Sequence, residues 1–585
     1  MSKIKKALTL CRDYGIRKTF GIVNSKIKSS AAIQLRRAKK LVKKSLKDSE
    51  TEQINSDIKL SILVPVFNTD ADMLKCVIES VLNQTYENTE LCIYDASDDD
   101  KTHIGKICKE YCKNNSRIKY AKGANLGIAE NTNKCFELSE GQYIGLLDHD
   151  DVLHKNAAYY VVKAINNTGA DFIYTDEAVF KGKITNVLAT NFKPDYSPFT
   201  LRCNNYICHF TCFSRELFLK NGGFNKKYDG SQDHELFLRL TDNAKKVYHI
   251  PKILYFWRAG KTSVATDINA KTYAVDAGIN AVKDFLAKKG INARVESSDI
   301  YPTIYRIKYE LSSHPKVSVI ILNNEHLEDL KRCLDSIKKS TYDNYEIIIC
   351  ENNSKSPELF DYYKSIQKNE NIKIITVNRP FNYSEFNNEA AKAATGEYLL
   401  FLNNDTGVIS ENWIEEMLMY AMQENTGAVG AKLFYPDGRI QHCYLITGLG
   451  EDGVAVHAGC GLAGDDNGYL DRIGFVQNAN AVTAACMLVK KSIFDEVGGF
   501  DESLAVAYND VDFCLKLRDR GYMIVYTPYA MLSHYESSSR GAEVSSKKVM
   551  RRKKEAEIIR NKWGDRLVDP YYNSNFSTDR PYVIK

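Results

Sequence analysis

Apolar residues along this chain fall into two alternating spacings. Residues 58–66 are a β-rich run that ends at Pro65. Residues 71–84 change to a helical period, with Leu74, Val77, Ile78, Val81 and Leu82 along one side. Residues 91–94 predict a second strand, ended by Asp95-Ala-Ser97, and residues 143–147 a buried strand that runs straight into Asp148. Strand, helix, strand, helix predicts an α/β unit with a mainly parallel sheet. Ligands of such sheets gather beyond the carboxyl ends of the strands, where Asp95 and the 148–151 cluster fall.

About 260 residues later the pattern returns. Ser61-Ile-Leu-Val-Pro65 is answered by Ser318-Val-Ile-Ile-Leu322. Gly141-Gln-Tyr-Ile-Gly-Leu-Leu-Asp-His-Asp150 is answered by Gly396-Glu-Tyr-Leu-Leu-Phe-Leu-Asn-Asn-Asp405. Gly222-Gly-Phe224 leading to Gln232-Asp233 is answered by Gly498-Gly-Phe500 leading to Asn509-Asp510. Matches in one order at so long a period indicate duplicated domains, not a solenoid. The expected organisation is a basic helical extension (1–50), a first domain (58–265), a connecting helix and linker (266–314), a second domain (315–565) and a tail (566–585). Within the connection, residues 274–289 predict a helix and 301–309 a strand-like stretch.

At 585 residues, 44% hydrophobic and 26% charged, the chain has the composition of a globular protein with more than one core. No uncharged apolar run reaches about 18 residues, which excludes a membrane span. Met1-Ser-Lys-Ile-Lys-Lys6 is basic but no apolar run with a cleavage site follows, so no signal peptide is expected. The scattered cysteines, with no Cys-x-x-Cys pair, read as reduced core residues of a cytoplasmic protein. Charge changes the picture at the N-terminus. Residues 1–50 hold fifteen Lys/Arg and three Asp/Glu, a net +12 (15 − 3), which leaves −7 for the rest (5 − 12). Leu35, Ala38, Val42 and Ser45 form a weak apolar stripe among those cations. That predicts a segment lying on the anionic inner face of the cell membrane, with a partner-docking arm as the alternative. No basic, aromatic surface continues into the body, so nucleic acid is not an expected partner.

Asp148-His149-Asp150-Asp151 places three carboxylates after a buried strand. Like charges gathered there are costly without a cation, and oxygen ligands suit Mg2+ or Mn2+. Acids in this position also start helices. Asp233, at the head of the next apolar helix, reads equally as a helix cap or as a general base at a cleft mouth. The second unit keeps one acid after the strand, Asp405, and one before the helix, Asp510. Retention of this pair favours function over capping.

On these motifs each unit resembles a family 2 glycosyltransferase domain, with Asp148-x-Asp150 similar to the family's Asp-x-Asp signature and Gln232-Asp233 to its base motif. The second unit adds Phe401-Leu-Asn-Asn-Asp-Thr406, Tyr508-Asn-Asp-Val-Asp-Phe-Cys-Leu515 and His534-Tyr-Glu-Ser-Ser-Ser-Arg-Gly541. The tandem order resembles bacterial enzymes of O-antigen, capsule or rhamnose-polysaccharide synthesis. The resemblance implies two GT-A-like (Rossmann-related), mainly parallel-sheet domains. It implies inverting transfer from a nucleotide diphosphate sugar to a lipid-linked or growing glycan at the inner membrane face. It assigns the metal to Asp150, Asp405 and His534, the base to Asp233 and Asp510, and donor contacts to Asp95, Asp148, Glu351, Asn352 and Asn403. Three departures are visible, the first being a single acid near Asp95 where the family usually has two. Asn403 replaces the first acid of the signature, and Phe256 stands where relatives often carry histidine, which implies fewer protein ligands for the metal of site one. The competing readings are one active domain with a degenerate acceptor-binding copy, and a carbohydrate-binding scaffold. Hydrolysis of nucleotide sugars separates enzyme from scaffold.

Overall fold

The computed structural model describes residues 31–48, 52–260, 272–535 and 546–585. Expectations for residues 1–30, for 261–271 and for the end of the His534 motif (536–541) lie outside the described residues.

The first unit contains β1 (Leu60–Val66), β2 (Thr89–Asp95), β3 (Ile118–Lys122), β4 (Tyr143–Leu146), β5 (Val152–Leu153), β6 (Phe172–Lys181), β7 (Lys183–Asn191), β8 (Thr211–Ser214) and β9 (Val247–Arg258). They form one sheet in the order β3-β2-β1-β4-β8-β6-β9-β5, with β7 on β6. β1 to β4, β6 and β9 run one way and β5, β7 and β8 the other. A hairpin of β10 (Ala293–Ser297) and β11 (Tyr305–Tyr309) follows the helix Thr272–Lys288.

The second unit contains β12 (Val317–Asn323), β13 (Tyr345–Glu351), β14 (Ile372–Thr376), β15 (Tyr398–Asn403), β16 (Thr406–Val408), β17 (Thr426–Phe434), β18 (Ile440–His442), β19 (Leu445–Thr447), β20 (Ala455–His457), β21 (Gln477–Ala479), β22 (Cys486–Lys490) and β23 (Met523–His534). Its main sheet runs β14-β13-β12-β15-β22-β17-β23-β16, the same order strand for strand. Each sheet has the mixed, mostly co-directional GT-A-like arrangement expected from the sequence.

Part of the repeated signature is structural. Ser61 Oγ donates to the buried Glu90 at 2.5 Å, and Gly141 N donates to Ser61 Oγ at 2.8 Å. Ser318, Glu346 and Gly396 repeat this at 2.7 and 2.9 Å. A Cβ on Gly141 would lie 2.5 Å from Lys59 O and from Ser61 Oγ, so only glycine lets the strand start so close. Lys59 and Lys119 neutralise Glu90, and Lys316 and Lys373 neutralise Glu346.

The units interlock. Tyr469 and Arg472 donate to Thr190 O and Phe192 O of the first unit, and Asn478 exchanges hydrogen bonds with Phe199 N and Thr200 Oγ1. The final residues return to the first unit: Asp195 N donates to Pro570 O, and Asn573 reaches the buried Asp176. The helix Ala31–Lys47 buries Ala38 and Val42 against a cluster that includes Val187, Phe192, Phe256, Phe576 and Ile584. Its apolar stripe is therefore spent on the protein. Arg36, Lys40, Lys43, Lys44 and Lys47 stay exposed, so a membrane contact through this helix would be electrostatic. Among the described residues no helix is long and apolar enough to cross a membrane.

Candidate functional site

The aspartate loop of the first unit follows β4 and precedes β5. Asp148, half exposed, lies 3.5 Å from His209 Nε2, and His209 Nδ1 lies 3.6 Å from the buried Glu177. Burial opposes the imidazolium, but the two carboxylates raise His209 well above its ordinary range. Burial pushes Asp148 up, and His209 more than offsets it, so the carboxyl sits below its usual range. Asp150 is displaced upward by burial and by the charge of Asp148. His149, between them, turns aside to Thr69 Oγ1 at 2.8 Å.

Asp151 does not belong to this cluster. It is fully buried and accepts from Tyr255 Oη and Arg258 N, both at 2.6 Å. The β5–β9 pairing, Val152 to Phe256, turns its side chain inward. The three-carboxylate reading is corrected to two, Asp148 and Asp150.

In the second unit Asn403 and Asp405 replace Asp148 and Asp150. His534, the last residue of β23, places Nε2 3.1 Å from Asp405 Oδ1 and 3.2 Å from Asn403 Nδ2. Its Nδ1 lies 2.7 Å from Gln441 Oε1, which accepts a proton from it. Nε2 is thereby turned toward the Asn403–Asp405 loop. The registers Thr406 to His534 and Val152 to Phe256 make Trp257, not Phe256, the first-unit counterpart of His534. Phe256 packs against Phe180 in the core, because adjacent residues of a strand face opposite sides. The imidazole beside the first unit's aspartate loop is His209, which stacks on Tyr255 with ring centroids 4.6 Å apart.

Both expected bases are the second residue of a helix, Gln232–Asn243 or Asn509–Asp519, not its cap; Ser231 and Tyr508 hold the cap positions. Asp233 accepts from His234 N at 2.8 Å and Asn205 Nδ2 at 3.0 Å. Asp510 accepts from Val511 N at 2.9 Å and Ala484 N at 3.4 Å. Burial raises the Asp510 carboxyl, the direction that suits a group taking up a proton near neutrality.

One segment ties the expected base to the aspartate loop in each unit. Before β22, Ala484 N reaches Asp510 while Ala485 O accepts from Asn403 N at 3.0 Å. Before β8, Asn205 reaches Asp233 while His209 reaches Asp148. The residue types gave no signal of this bridge, since the two segments share no motif.

Three of the residues expected at the nucleotide make hydrogen bonds within the protein. Asp95 accepts from Ser97 N at 3.0 Å and Tyr120 Oη at 2.9 Å. Glu351 accepts from Ser354 N at 2.7 Å and Tyr363 Oη at 2.6 Å. Asn352 donates to Val377 O and Arg379 O. All three are buried and shape the loops after β2 and β13. Residues 375–379 with Glu389, Lys392 and Ala393 line an open cavity of about 510 Å³ beside Asn352.

Comparison with known proteins places these features in a family. The family model "Glycosyl transferase family 2" matches residues 61–221 and 318–498. An uncharacterized protein, y4gI, of Sinorhizobium fredii is 38% identical over 530 residues, covering 89% of this chain and 58% of that protein. The O-antigen biosynthesis protein RfbC of Myxococcus xanthus is 34% identical over 489 residues, covering 83% of this chain and 38% of that protein. The chain thus spans 58% and 38% of the lengths of those two relatives. A solved structure of GalNAc-T7 with UDP, GalNAc and Mn2+ aligns with 43% of this chain and 50% of its own at 17% identity and a TM-score of 0.35. With its two units both matched over their aspartate loops, the chain belongs to glycosyl transferase family 2.

Proposed function

We propose that each unit holds a transfer site for a nucleotide diphosphate sugar, and that the chain extends a bacterial cell-surface polysaccharide by inverting transfer. The observation that carries this is the bridge: one short segment holds an acid-bearing loop at one end and a helix-borne carboxylate at the other, in both units. Single displacement needs that separation, because donor and acceptor approach the reacting carbon from opposite sides. Asp233 and Asp510 are the groups that would take the acceptor hydroxyl's proton. Relatives and neighbours support the class: RfbC is named for O-antigen biosynthesis, and GalNAc-T7 holds UDP and Mn2+.

The residues fit a divalent ion, Mn2+ or Mg2+. In site two Nε2 of His534 and a carboxylate oxygen of the nearly buried Asp405 lie 3.1 Å apart, and imidazole nitrogen with carboxylate oxygen is a donor set that suits such an ion. Among the described residues no three His, Cys, Asp or Glu groups could hold an ion by themselves. Further ligands would come from diphosphate oxygens and water. When bound, the ion neutralises charge on the departing diphosphate. Asp405 and His534 would hold it in site two, and Asp150 with Asp148 in site one. A second reading, one active site beside a degenerate copy, is favoured by Trp257 at the His534 position.

Four variants of the full chain decide between these readings. Asp150→Ala and Asp233→Asn should silence one transfer, and Asp405→Ala and Asp510→Asn another, each base variant losing about 10²-fold or more. If only one pair changes any product, the single-site reading stands. If neither does, the transferase proposal fails.

A further inference from the structure

Beside site two lies a histidine pair that the reading above does not use. His442 ends β18 and His457 ends β20, and their Nδ1 atoms are 2.8 Å apart. His442 is buried, and burial together with the neighbouring His457 and His534 pushes its basicity well down, so its ring is neutral. Thr483 N donates to His442 Nε2 at 3.3 Å. That bond fixes the tautomers in turn. The proton of His442 sits on Nδ1 and is given to His457 Nδ1, so the proton of His457 sits on Nε2. His457 is exposed. The pair therefore places one uncharged N–H donor, His457 Nε2, on an exposed residue.

Its inner end is tied to the base. Thr483 is held at its backbone by His442, and the next residue donates Ala484 N to the Asp510 carboxylate at 3.4 Å. The preceding residue of β18, Gln441, orients His534. The line His457–His442–Thr483–Asp510 thus runs from the exposed surface to the residue that faces the acceptor.

The first unit is built differently at the matching place. Leu433 of β17 pairs with His442, and its counterpart Glu177 of β6 pairs with Asn191. Asn191 Nδ2 donates to Glu177 Oε1 at 3.1 Å, and the buried Lys193 lies 3.3 Å from Glu177 Oε2. A charged network replaces the imidazole pair.

We infer that His457, oriented by His442, is an acceptor-binding residue of site two that hydrogen-bonds a sugar hydroxyl next to Asp510, and that site one, lacking the pair, takes a different acceptor sugar. A neutral directional donor suits a hydroxyl, whereas an anionic ligand would call for a cation. The inference rests on the transferase reading of site two and adds its acceptor subsite.

The test uses the full chain carrying Asp150→Ala, so that only site two is read. Nucleotide diphosphate release is followed with Mn2+ and a panel of UDP- and GDP-sugars, alone and with a panel of methyl hexosides as acceptors. His457→Ala should leave acceptor-independent release within about twofold and raise the acceptor KM about tenfold, the weight of one sugar hydrogen bond. His457→Gln, which keeps an N–H donor, should recover part of that loss. His442→Ala should raise the acceptor KM and also lower kcat, because it releases Thr483 from behind Asp510. An unchanged acceptor KM in His457→Ala overturns the inference, as does an equal fall in acceptor-independent release, which would put His457 on the donor side. A parent chain that releases nucleotide from no donor refutes the transferase reading itself, a result distinguishable from either.

Discussion

Replacing Asn573 by alanine should loosen the first unit, although Asn573 lies near the far end of the chain. Its Nδ2 donates to both oxygens of Asp176, at 3.0 and 2.9 Å, and to Lys193 O at 2.9 Å. Asp176 is fully buried. It keeps Lys193 N and His249 Nε2, each at 2.9 Å, and Asn575 Nδ2 at 3.1 Å. A hydrogen bond to a charged group contributes about 1.5–3 kcal/mol. The remaining donors keep the loss below the 3–5 kcal/mol, roughly, of a fully unpaired buried charge. Asn573→Ala should therefore cost about 2 kcal/mol. Asn573→Asp, nearly isosteric, sets a second carboxylate against Asp176 and should cost more. For a cooperative unit of about 150–250 residues, each kcal/mol moves Tm by about 2–4 °C. Calorimetry of the full chain should show the first unit's transition about 4–8 °C lower for the alanine variant and lower still for the aspartate. Shifts below about 1 °C in both variants would show that the tail merely rests on the surface.

Three further outcomes are expected. Gln441→Ala frees the His534 ring, and Mn2+ affinity in the presence of UDP, read by electron paramagnetic resonance of free Mn2+, should fall about 10–100-fold; an unchanged affinity would remove His534 from the ion's ligands. Burial pushes Glu177 up, but Lys193 and His209 more than offset it and hold the carboxyl down at about 2, against an ordinary 4.5. This depressed carboxyl contributes stability that is fully present above pH 4.5 and lost as pH falls toward 2. Glu177→Gln should flatten the acid limb of Tm against pH in that window, and superimposable limbs would refute the assignment. Anionic vesicles should bind the chain at 0.1 M salt and release it at 1 M, where the Debye length falls from about 10 Å to about 3 Å. Reversing Arg36, Lys40, Lys43 and Lys44 to glutamate should abolish sedimentation with the vesicles, and equal pelleting would make the segment a partner-docking arm.

What the sequence made legible is what periodicity encodes. The strands Leu60–Val66, Thr89–Asp95 and Val317–Asn323 fall where alternation and buried runs placed them. The connecting helix Thr272–Lys288 does too, within two residues. The paired acids were legible because each directly follows a strand or heads a helix. The rest depends on contacts that no local pattern records. In the run Asp148 to Asp151, nothing but the pairing of β5 with β9 tells which carboxylate faces the cleft and which meets the Tyr255 hydroxyl. His209 sits in an irregular segment with no period. Gln441, His442 and His457 lie on three-residue strands, too short for alternation to show. Asn573 finds Asp176 across 397 residues, and a tail without periodic residues gave no reason to expect it.

The duplication leaves two candidate sites that share the acids Asp150 and Asp233, or Asp405 and Asp510, and differ in what surrounds them. Site one has His209 where site two has Ala485, and site two has His534 where site one has Trp257. Each copy thus brings one imidazole to its aspartate loop, one from the irregular segment before β8 and the other from the end of β23. A scaffold copy would have no use for a carboxylate drawn out of water beside an imidazole, because desolvating a charge costs folding energy even when it is paired. Yet Asp405 is only 3% exposed, and Asp510 is raised by burial. Both sit at the ends of the segment that in the other unit joins Asp148 to Asp233. A pair of acids held at that cost, with an imidazole brought to each aspartate loop by a different segment, supports the proposal that the second unit meets a diphosphate and an acceptor and is not a relic of the first.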